Sequence, residues 1–308
     1  MRPCLRPTGA PALTKDGTYK DEPARGVLYV LGAAAAFSTM SALIKSASGD
    51  LSTEMLVFLR NGFSLLFLLP FLARLRIEGL RTKVFHLHLL RAIFGVTGIY
   101  LFVYAITHLP LAEAVLLNHT SALFVPFIAF LWLGERLTKV VGIALIVGFI
   151  GIAFILKPGS DLRSIGTLVG LASGLTTAFA VVTIRRNAQT EPYQRIVFYF
   201  FTLATLVSAV PAALDWQAPS LRQWLMLGAA GMFATLGQLG ATKAYSLAPA
   251  TRIGPYTYVS VVFAASWGWL LWDETPDLLS AFGAVLIAIG GALALPRSVI
   301  ASRTPPAT

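Results

Sequence analysis

Ten long apolar stretches divide almost the whole chain of 308 residues. Each is close to the roughly 20 residues that an α-helix needs to cross the hydrocarbon core of a bilayer. Backbone polar groups at that depth must be satisfied within the segment, and alternating strand patterns are absent from the sequence. We therefore expect an all-α polytopic membrane protein with ten transmembrane helices. The predicted helices cover residues 26–45, 54–73, 86–107, 112–133, 138–156, 165–184, 195–214, 223–245, 253–272 and 278–295.

The composition fits a membrane environment and limits the chemistry available. Hydrophobic residues make up 56% of the chain and charged residues 12%, whereas charged residues reach about 25% in water-soluble domains. Cys4 is the only cysteine, which excludes an intramolecular disulfide and a thiolate metal cluster. We expect neither a metal site nor a cofactor. Proline should kink or end three of the helices, at Pro70, Pro126 and Pro211.

The positive charges lie mostly on one side of the predicted helices. The net charge is +10, and by the positive-inside rule the cationic side is cytoplasmic. We expect both termini in the cytoplasm and the protein in a plasma membrane, the inner membrane of a bacterium. Basicity then indicates topology, and no nucleic-acid partner is expected. The cations on this side are Arg2, Arg6, Lys15, Lys20, Arg25, Arg74, Arg76, Arg81, Lys83, Arg136, Lys139, Arg185, Arg186, Arg297 and Arg303.

Two tails flank the predicted helices. Residues 1–25 are rich in Pro, Gly, Lys and Arg and lack an apolar core. This pattern predicts a disordered cytoplasmic tail and not a cleavable signal peptide. Residues 296–308 are expected to form a second cytoplasmic tail.

The segment from Pro110 to Glu135 recurs from Pro249 to Glu274, at a constant offset of 139 residues. Each copy has a proline-led turn, an apolar helix and a glutamate. The two copies belong to repeats of five helices each, residues 26–156 and 165–295. Because five is odd, the second repeat must insert upside down relative to the first. Inverted repeats can exchange conformations around a shared cavity, which is the basis of alternating access.

The repeated segments also resemble a known family. The residues concerned are PLAEAVLLNHTSALFVPFIAFLWLGERLT in the first repeat, PATRIGPYTYVSVVFAASWGWLLWDETPD in the second, and FLRNGFSLLFLLP in the second helix. With these the chain resembles the ten-helix, EamA-type members of the drug/metabolite transporter superfamily, over residues 26–295. The resemblance implies transport of small metabolites such as amino acids or nucleotide-like compounds. The arginines of the second and third helices resemble those of S-adenosylmethionine-uptake-like members.

Arginines inside the predicted helices are the first candidates for contact with a substrate. A charge at mid-bilayer costs at least about 2.5 to 3.5 kcal/mol on the insertion scale, so it needs a cavity, a partner or a function. Arg60, followed by Asn61, lies two turns into the second helix and either lines the transport path or pairs with a structural carboxylate. Arg91 either binds substrate or snorkels to the interface beside His86 and His88.

Two further ionisable residues are candidates for proton coupling, Glu113 and His119. Glu113 could carry a proton or balance a cationic substrate group, although a carboxylate at a helix N-terminus is also favoured by the helix dipole. His119 could relay protons because histidine changes charge near neutral pH. It could equally be a buried histidine bonded to a neighbouring helix. The other predicted substrate contacts are Glu113 itself, Tyr100, Asn118, Gln238 and Tyr256.

Gln238 belongs to a stripe of small and polar residues in the eighth predicted helix. The stripe contains Gly228, Gly231, Thr235, Gln238 and Thr242. Such a stripe either packs against another helix or faces a water-filled cavity. The fifth and tenth helices contain glycines and no ionisable residue in their apolar runs, which predicts a packing scaffold.

The sequence favours a secondary active transporter for a small polar metabolite, amino-acid-like or nucleoside-like and zwitterionic or anionic. It would work by alternating access, with proton coupling as an option. One alternative is a multidrug exporter of lipophilic cations that uses Glu113. Another is an intramembrane enzyme acting on lipid-linked substrates, but the paired carboxylates or H-E-x-x-H motif that it would need are missing, so no catalytic residue is expected. The expected partners are a small-molecule substrate and the lipid bilayer, and a homodimer is a possible assembly.

Overall fold

The computed structural model describes residues 23–72, 80–133, 139–156, 163–187, 190–247, 254–275 and 277–294. In these residues the secondary structure is helical throughout, and no strand occurs. The α-helices are α1 (Pro23–Ser48), α2 (Thr53–Leu72), α3 (Phe85–His108), α4 (Leu111–His119), α5 (Ser121–Leu133), α6 (Lys139–Leu156), α7 (Arg163–Asn187), α8 (Tyr193–Leu214), α9 (Leu221–Leu247), α10 (Val259–Trp272) and α11 (Leu278–Ala294). A 3₁₀ turn, Gly254–Tyr258, precedes α10.

The observed helices confirm the all-α prediction. Each predicted stretch agrees with an observed helix, or with a helix in two parts, to within three residues at either end. Seven spans in the described residues are long and apolar enough to cross a membrane, with α4 and α5 forming one of them. The shorter α6, α10 and α11, of 18, 14 and 17 residues, complete the ten.

The predicted tails meet the helices at their ends. Helix α1 begins at Pro23, so it includes the last three residues of the tail predicted over 1–25. The remainder of that tail and residues 295–308 lie outside the described residues. The Pro-to-Glu turn at Glu135 and the repeat-related Arg252 lie outside them as well.

The fourth and ninth spans are each interrupted, at equivalent places in the two repeats. Helix α4 ends at His119, and Thr120 separates it from α5. The 3₁₀ turn ends at Tyr258, 139 residues later. The Thr120 hydroxyl donates to the carbonyl of Leu117 at 2.6 Å, which satisfies one backbone acceptor at the interruption.

Proline does not cause this interruption. Helix α5 continues through Pro126, one of the positions at which we expected a kink or an end. Pro70 and Pro211 lie inside α2 and α8, which end two and three residues later, at Leu72 and Leu214.

Helix packing follows a pseudo-twofold exchange of the two repeats. Helix α1 packs along α9, and α3 packs along α7. Helix α2 packs against α9, as its repeat equivalent α8 packs against α3. The self-equivalent pairs α2 with α8 and α6 with α11 also pack together. Helices of opposite repeats therefore interlock around one centre.

Helices α6 and α11 form the predicted packing scaffold. A Cβ atom added to Gly151 of α6 would lie 2.8 Å from the carbonyl oxygen of Gly283 and 2.9 Å from the backbone nitrogen of Ile287 in α11. Only glycine allows such close approach of two backbones. This pair lies beside the helices that carry the buried arginines and does not include them.

We call the face of the bundle at which α1 begins the near face and the opposite one the far face. At the near face the Thr82 hydroxyl donates to the Glu191 carboxylate at 2.9 Å, and the Tyr199 hydroxyl donates to the carbonyl of Leu80 at 3.0 Å. At the far face the Gln223 amide donates to the carbonyl of Ala47 at 3.3 Å. These contacts place successive connections on alternate faces.

Candidate substrate-binding site

Two arginines are buried in the middle of the bundle, Arg60 on α2 and Arg91 on α3. Each is only 6% exposed. Arg60 Nη1 donates to Asn61 Oδ1 at 2.7 Å, and its Nη2 lies 3.5 Å from the sulfur of Met40. Asn61 is itself fully buried. Two neighbouring residues of the sequence thus form one polar unit inside an apolar core.

Both guanidinium groups lie over adjacent phenylalanine rings of α8. The Cζ atom of Arg60 is 5.7 Å from the ring centre of Phe201, and that of Arg91 is 4.0 Å from the ring centre of Phe200. The two ring centres are 5.4 Å apart. The Cζ atoms are therefore no more than about 15 Å apart, and the two positive charges lie close enough to act on each other. Cation–π contact contributes about 2 kcal/mol when desolvated, less than the cost of burying two like charges.

No carboxylate among the described residues forms an ion pair with either arginine. Hydrogen-bond donors around them also lack partners there: the Asn61 amide nitrogen, and Nε and Nη1 of Arg91. The buried hydroxyl groups of Tyr100 and Thr202 are unpartnered as well. An unpartnered buried donor costs about 1 to 3 kcal/mol. This group of side chains has an excess of positive charge and of donors, which suits an anion.

A cavity opens beside Arg91 between α3, α7, α8 and α9. Its volume is about 350 Å³, including the part open to solvent. Gln238 and Thr242 of α9 contribute polar atoms, so two of the predicted substrate contacts, Arg91 and Gln238, share one cavity. The other lining residues are Ile184, Tyr193, Ile196, Val197 and Phe200. Since α3 and α8 begin at the near face and α9 ends there, the cavity lies in the near half of the bundle.

Gly95 makes room for the Arg91 side chain. A Cβ atom at this position would lie 2.0 Å from Arg91 Nη1 and 2.6 Å from Cε2 of Phe200. The arginine can fold along its own helix onto the phenylalanine only because residue 95 has no side chain. Gly95 was identified from the sequence as a small residue on the Arg91 face, but its role in positioning the guanidinium was not predicted.

The stripe of small and polar residues on α9 serves both of its expected purposes. At Gly231 an added Cβ would lie 2.9 Å from the backbone of Ser64 on α2, and the Thr235 hydroxyl donates to the Ser64 carbonyl at 2.9 Å. This half of the stripe packs against α2. The other half, Gln238 and Thr242, lines the cavity.

Asn118 and His119 lie at the interruption of the fourth span, and each contacts a different helix. Asn118 Nδ2 donates to the hydroxyls of Ser173 at 3.2 Å and Thr177 at 3.1 Å on α7. His119 Nε2 lies 2.5 Å from the hydroxyl of Ser260 on α10. These contacts match the alternative of a buried histidine bonded to a neighbouring helix. Its part in proton coupling stays a prediction.

Glu113 lies in the first turn of α4, towards the far face. Its carboxylate accepts a hydrogen bond from the Ser280 hydroxyl at 3.1 Å, which links it to the scaffold helix α11. The structure does not bring Glu113 into the lining of the Arg91 cavity. Tyr256 lies in the 3₁₀ turn and is 42% exposed. Substrate contact by these two residues also stays a prediction.

The far face is tied together by Lys45 and Glu274. Lys45 Nζ donates to the Glu274 carboxylate and, at 2.7 Å, to the carbonyl of Leu109. The second oxygen of Glu274 accepts the backbone N–H of Leu111 at 2.7 Å, which caps the N-terminus of α4 from another helix. Three elements, the end of α1, the start of α4 and the end of α10, meet at this tie.

The sequence contained a signal for this tie that was not used. Glu274 is the repeat equivalent of Glu135, and Lys45 is the repeat equivalent of Arg185. An acid and a base that both recur at equivalent places are candidates for an ion pair. We expected Glu274 only to maintain the scaffold.

Metal binding finds no support in the described residues, where no group of three or more His, Cys, Asp or Glu side chains is arranged to hold an ion. What the arginines, Asn61, Tyr100 and Gln238 can do is bind a small polar molecule by charge and hydrogen bonds. Such groups hold a solute without changing its covalent structure.

Comparison with known proteins agrees with this reading. The model of the EamA-like transporter family matches residues 24–157 and again residues 164–295. The pseudopaline exporter of Pseudomonas aeruginosa is 38% identical over 275 residues, which cover 89% of this chain and 96% of that protein. The riboflavin transporter of Vibrio cholerae is 29% identical, covering 88% and 93%. The S-adenosylmethionine uptake transporter of Rickettsia bellii is 26% identical, covering 80% and 87%.

A solved structure has the same fold. A crystal structure with 18% sequence identity superposes with a TM-score of 0.64, covering 88% of this chain and 96% of that chain. At this identity the likeness concerns the fold alone.

Proposed function

This chain belongs to the EamA-like transporter family, and on that basis we propose that it is a secondary active transporter for a small polar metabolite with an anionic group. It is an integral membrane protein whose relatives are named as transporters of small metabolites and not as enzymes. The substrate would cross by alternating access between two inverted repeats. Because the relative at 38% identity is named as an exporter, export is the proposed direction.

The observation that carries this proposal is the pair of buried arginines without carboxylate partners in the described part of the chain. A buried charge is tolerated when it is paired or has a function. Arg60 and Arg91 carry two positive charges in a core that supplies aromatic rings and unpartnered donors. A carboxylate or phosphate on a substrate would supply the missing negative charge, and bidentate geometry would suit either arginine.

The two ends of the bundle support a particular state of the transport cycle. The Lys45–Glu274 tie joins three elements at the far face, whereas the Arg91 cavity lies in the near half. With the cationic near face in the cytoplasm of a bacterial cell, as the positive-inside rule indicates, this is an inward-facing arrangement. A substrate would reach Arg91 from the cytoplasm.

The alternative of a lipophilic-cation exporter that depends on Glu113 gains less support. The Glu113 carboxylate is bonded to Ser280 near the far face. A cation drawn into the cavity would meet Arg91 there. The charge around the cavity favours an anion over a cation.

Two measurements in sequence test the proposal. First, thermal unfolding of the purified protein is followed against a panel that contains pseudopaline, riboflavin, S-adenosylmethionine, amino acids and simple dicarboxylates. A ligand at 100 times its Kd stabilises by about 2.7 kcal/mol. The hits are then paired with their amide or ester derivatives, and we expect the derivatives without the negative charge to lose the stabilisation.

Transport of each hit is then measured in proteoliposomes against empty liposomes, with and without an imposed pH gradient. We expect solute movement that saturates with concentration. Absence of movement for every hit would contradict the proposed function. Movement that favours uncharged derivatives over the anions would contradict the substrate class.

A further inference from the structure

A buried histidine and a buried glutamate meet at the near face, outside the set of residues assigned to substrate binding. His88, in the first turns of α3, is 1% exposed, and Glu191, between α7 and α8, is 8% exposed. His88 Nε2 is 3.9 Å from Glu191 Oε2. The imidazole ring stacks on the ring of Tyr199 with centres 4.5 Å apart. Residues 103 positions apart in the sequence are thus held side by side.

Both ring nitrogens of His88 lack a hydrogen-bond partner among the described residues. The distance of 3.9 Å to the carboxylate exceeds the 2.7 to 3.2 Å of an N–H···O hydrogen bond. A proton on Nε2 would create a positive charge directly facing a carboxylate and would draw the two groups together. Without that proton the imidazole and the carboxylate attract each other only weakly.

Glu191 does not depend on His88 for its own partners. One oxygen accepts from the Thr82 hydroxyl at 2.9 Å, and the other accepts from Arg195 Nη1 at 2.5 Å. The carboxylate is therefore held in place whether His88 is charged or neutral. A fixed carboxylate beside an imidazole with two unpartnered nitrogens is an arrangement that can bind and release one proton.

The surroundings of His88 are known from each element that packs against it. Helix α8 contributes Arg195 and Tyr199, and the Tyr199 hydroxyl is engaged with the Leu80 carbonyl. Helix α7 contributes Asn187, which is uncharged and donates to the Leu87 carbonyl at 3.3 Å. The exposed ionisable groups of this face are Lys83, His86 and Arg186, and Tyr193 and Arg91 line the neighbouring cavity.

The pair lies next to the mouth of the substrate cavity. His88 is three residues before Arg91 on α3, so both lie on one side of that helix. Glu191 is directly followed by α8, which contributes Tyr193 and Ile196 to the cavity lining. A change in the distance between His88 and Glu191 would move α3 relative to the start of α8, the two elements that flank the mouth.

We propose that His88 and Glu191 form a proton-binding site at the near-face mouth of the cavity. A proton taken from solvent onto the imidazole draws α3 towards the connection between α7 and α8, and the mouth narrows. Release of the proton loosens the pair and opens the path to Arg91. This role deepens the proposed function, on which it rests, by assigning proton coupling to residues other than Glu113 and His119.

The test uses the full-length protein in lipid nanodiscs and needs no substrate. Cys4→Ser removes the native thiol, and Thr242→Cys places a single thiol in the cavity lining. The rate of its reaction with N-ethylmaleimide is measured at about pH 5.5 and about pH 8, on either side of the ordinary titration range of histidine. The same rates are measured with His88→Gln added. Dividing one rate by the other at each pH removes the intrinsic pH dependence of the thiol.

We expect the protein that retains His88 to react about five-fold more slowly than the His88→Gln variant at the lower pH, the factor that one partly buried ion pair supplies. At the higher pH the two rates should agree. His86→Gln, two residues earlier and exposed, is the matched control and should leave the pH profile unchanged. Equal rate ratios at both pH values would overturn the proposal, as would the same effect from His86→Gln.

Glu191→Gln approaches the same pair from its other side. In this variant we expect the His88→Gln effect at the lower pH to disappear, since the charged partner is gone. An undiminished effect would show that His88 acts without Glu191 and would also overturn the proposal. Because labelling reports the cavity mouth alone, failure here leaves the transport measurements untouched, and failure of transport leaves these rates interpretable.

Discussion

At the scale of residues, the sequence located the charged groups but not their surroundings. The cost of a charge in a bilayer was enough to single out Arg60 and Arg91. That Arg60 bonds its neighbour Asn61 is a local contact within reach of sequence reasoning. The stacking of both arginines on Phe200 and Phe201 was not, because no periodicity relates α2 and α3 to α8.

Replacing Arg91 with methionine should raise the stability of the ligand-free protein. The change keeps most of the side-chain volume and removes a buried charge that lacks a carboxylate partner in the described core. Exchanging buried charges for apolar side chains of similar size often stabilises by about 1 to 4 kcal/mol. Thermal unfolding in detergent measures the effect. A large loss of stability would show that Arg91 has a structural partner after all.

Replacing Gly95 with alanine should displace the Arg91 guanidinium without removing its charge. The atoms that the new methyl group meets are ends of side chains, Arg91 Nη1 and Phe200 Cε2, so stability should change by less than about 1 kcal/mol. Ligand affinity should fall about ten-fold or more, because the arginine no longer lies over Phe200. Titration of the ligand found by thermal screening measures it.

The matched control for this change is Gly32→Ala, because an added Cβ there has no neighbour within 4 Å. It should leave ligand affinity as it is and stabilise α1 by roughly 0.5 to 1 kcal/mol. Equal affinity in both alanine variants would remove Gly95 from the site.

At the scale of elements, hydrophobic length fixed the helices well, because each span must satisfy its own backbone in lipid. The interruption at Thr120 was missed because the expected signal was proline, and Pro126 leaves α5 intact. The α9 stripe could not be divided from sequence into its packing half and its cavity half. Small residues suit both, and only the position of α2 decides between them.

Removing either partner of the Lys45–Glu274 tie should destabilise the far face. Lys45→Met leaves a carboxylate that is only 20% exposed without its cation, at a cost of about 1 to 3 kcal/mol. Glu274→Gln should cost less, because an amide oxygen can still accept from Leu111. Thermal unfolding of both single variants and the double variant gives the coupling energy between the two positions.

Arg222→Met, an exposed cation at the same face, serves as the control and should shift stability by less than about 0.5 kcal/mol. Additive effects of Lys45→Met and Glu274→Gln would mean that the two residues are not energetically coupled. The tie would then have no part in closing the far face.

At the scale of the whole molecule, the internal repeat predicted more than any single motif. The offset of 139 residues relates His119 to Tyr258, where both repeats interrupt a span, and these two side chains come within 5.7 Å between ring centres. The pairing of helices follows the same exchange. Contacts between remote connections, such as His88 with Glu191, follow from the three-dimensional assembly and leave no trace in the sequence.

The most direct test of the account is the dissociation constant of the ligand that stabilises the wild-type protein, measured for Arg60→Met, Arg91→Met and the exposed control Arg222→Met. We predict that each buried arginine variant binds about 30-fold or more weakly, since a desolvated charge pair is lost, while the control stays within about two-fold. Wild-type affinity in both buried variants would contradict the claim that these arginines hold the anionic group of a transported substrate.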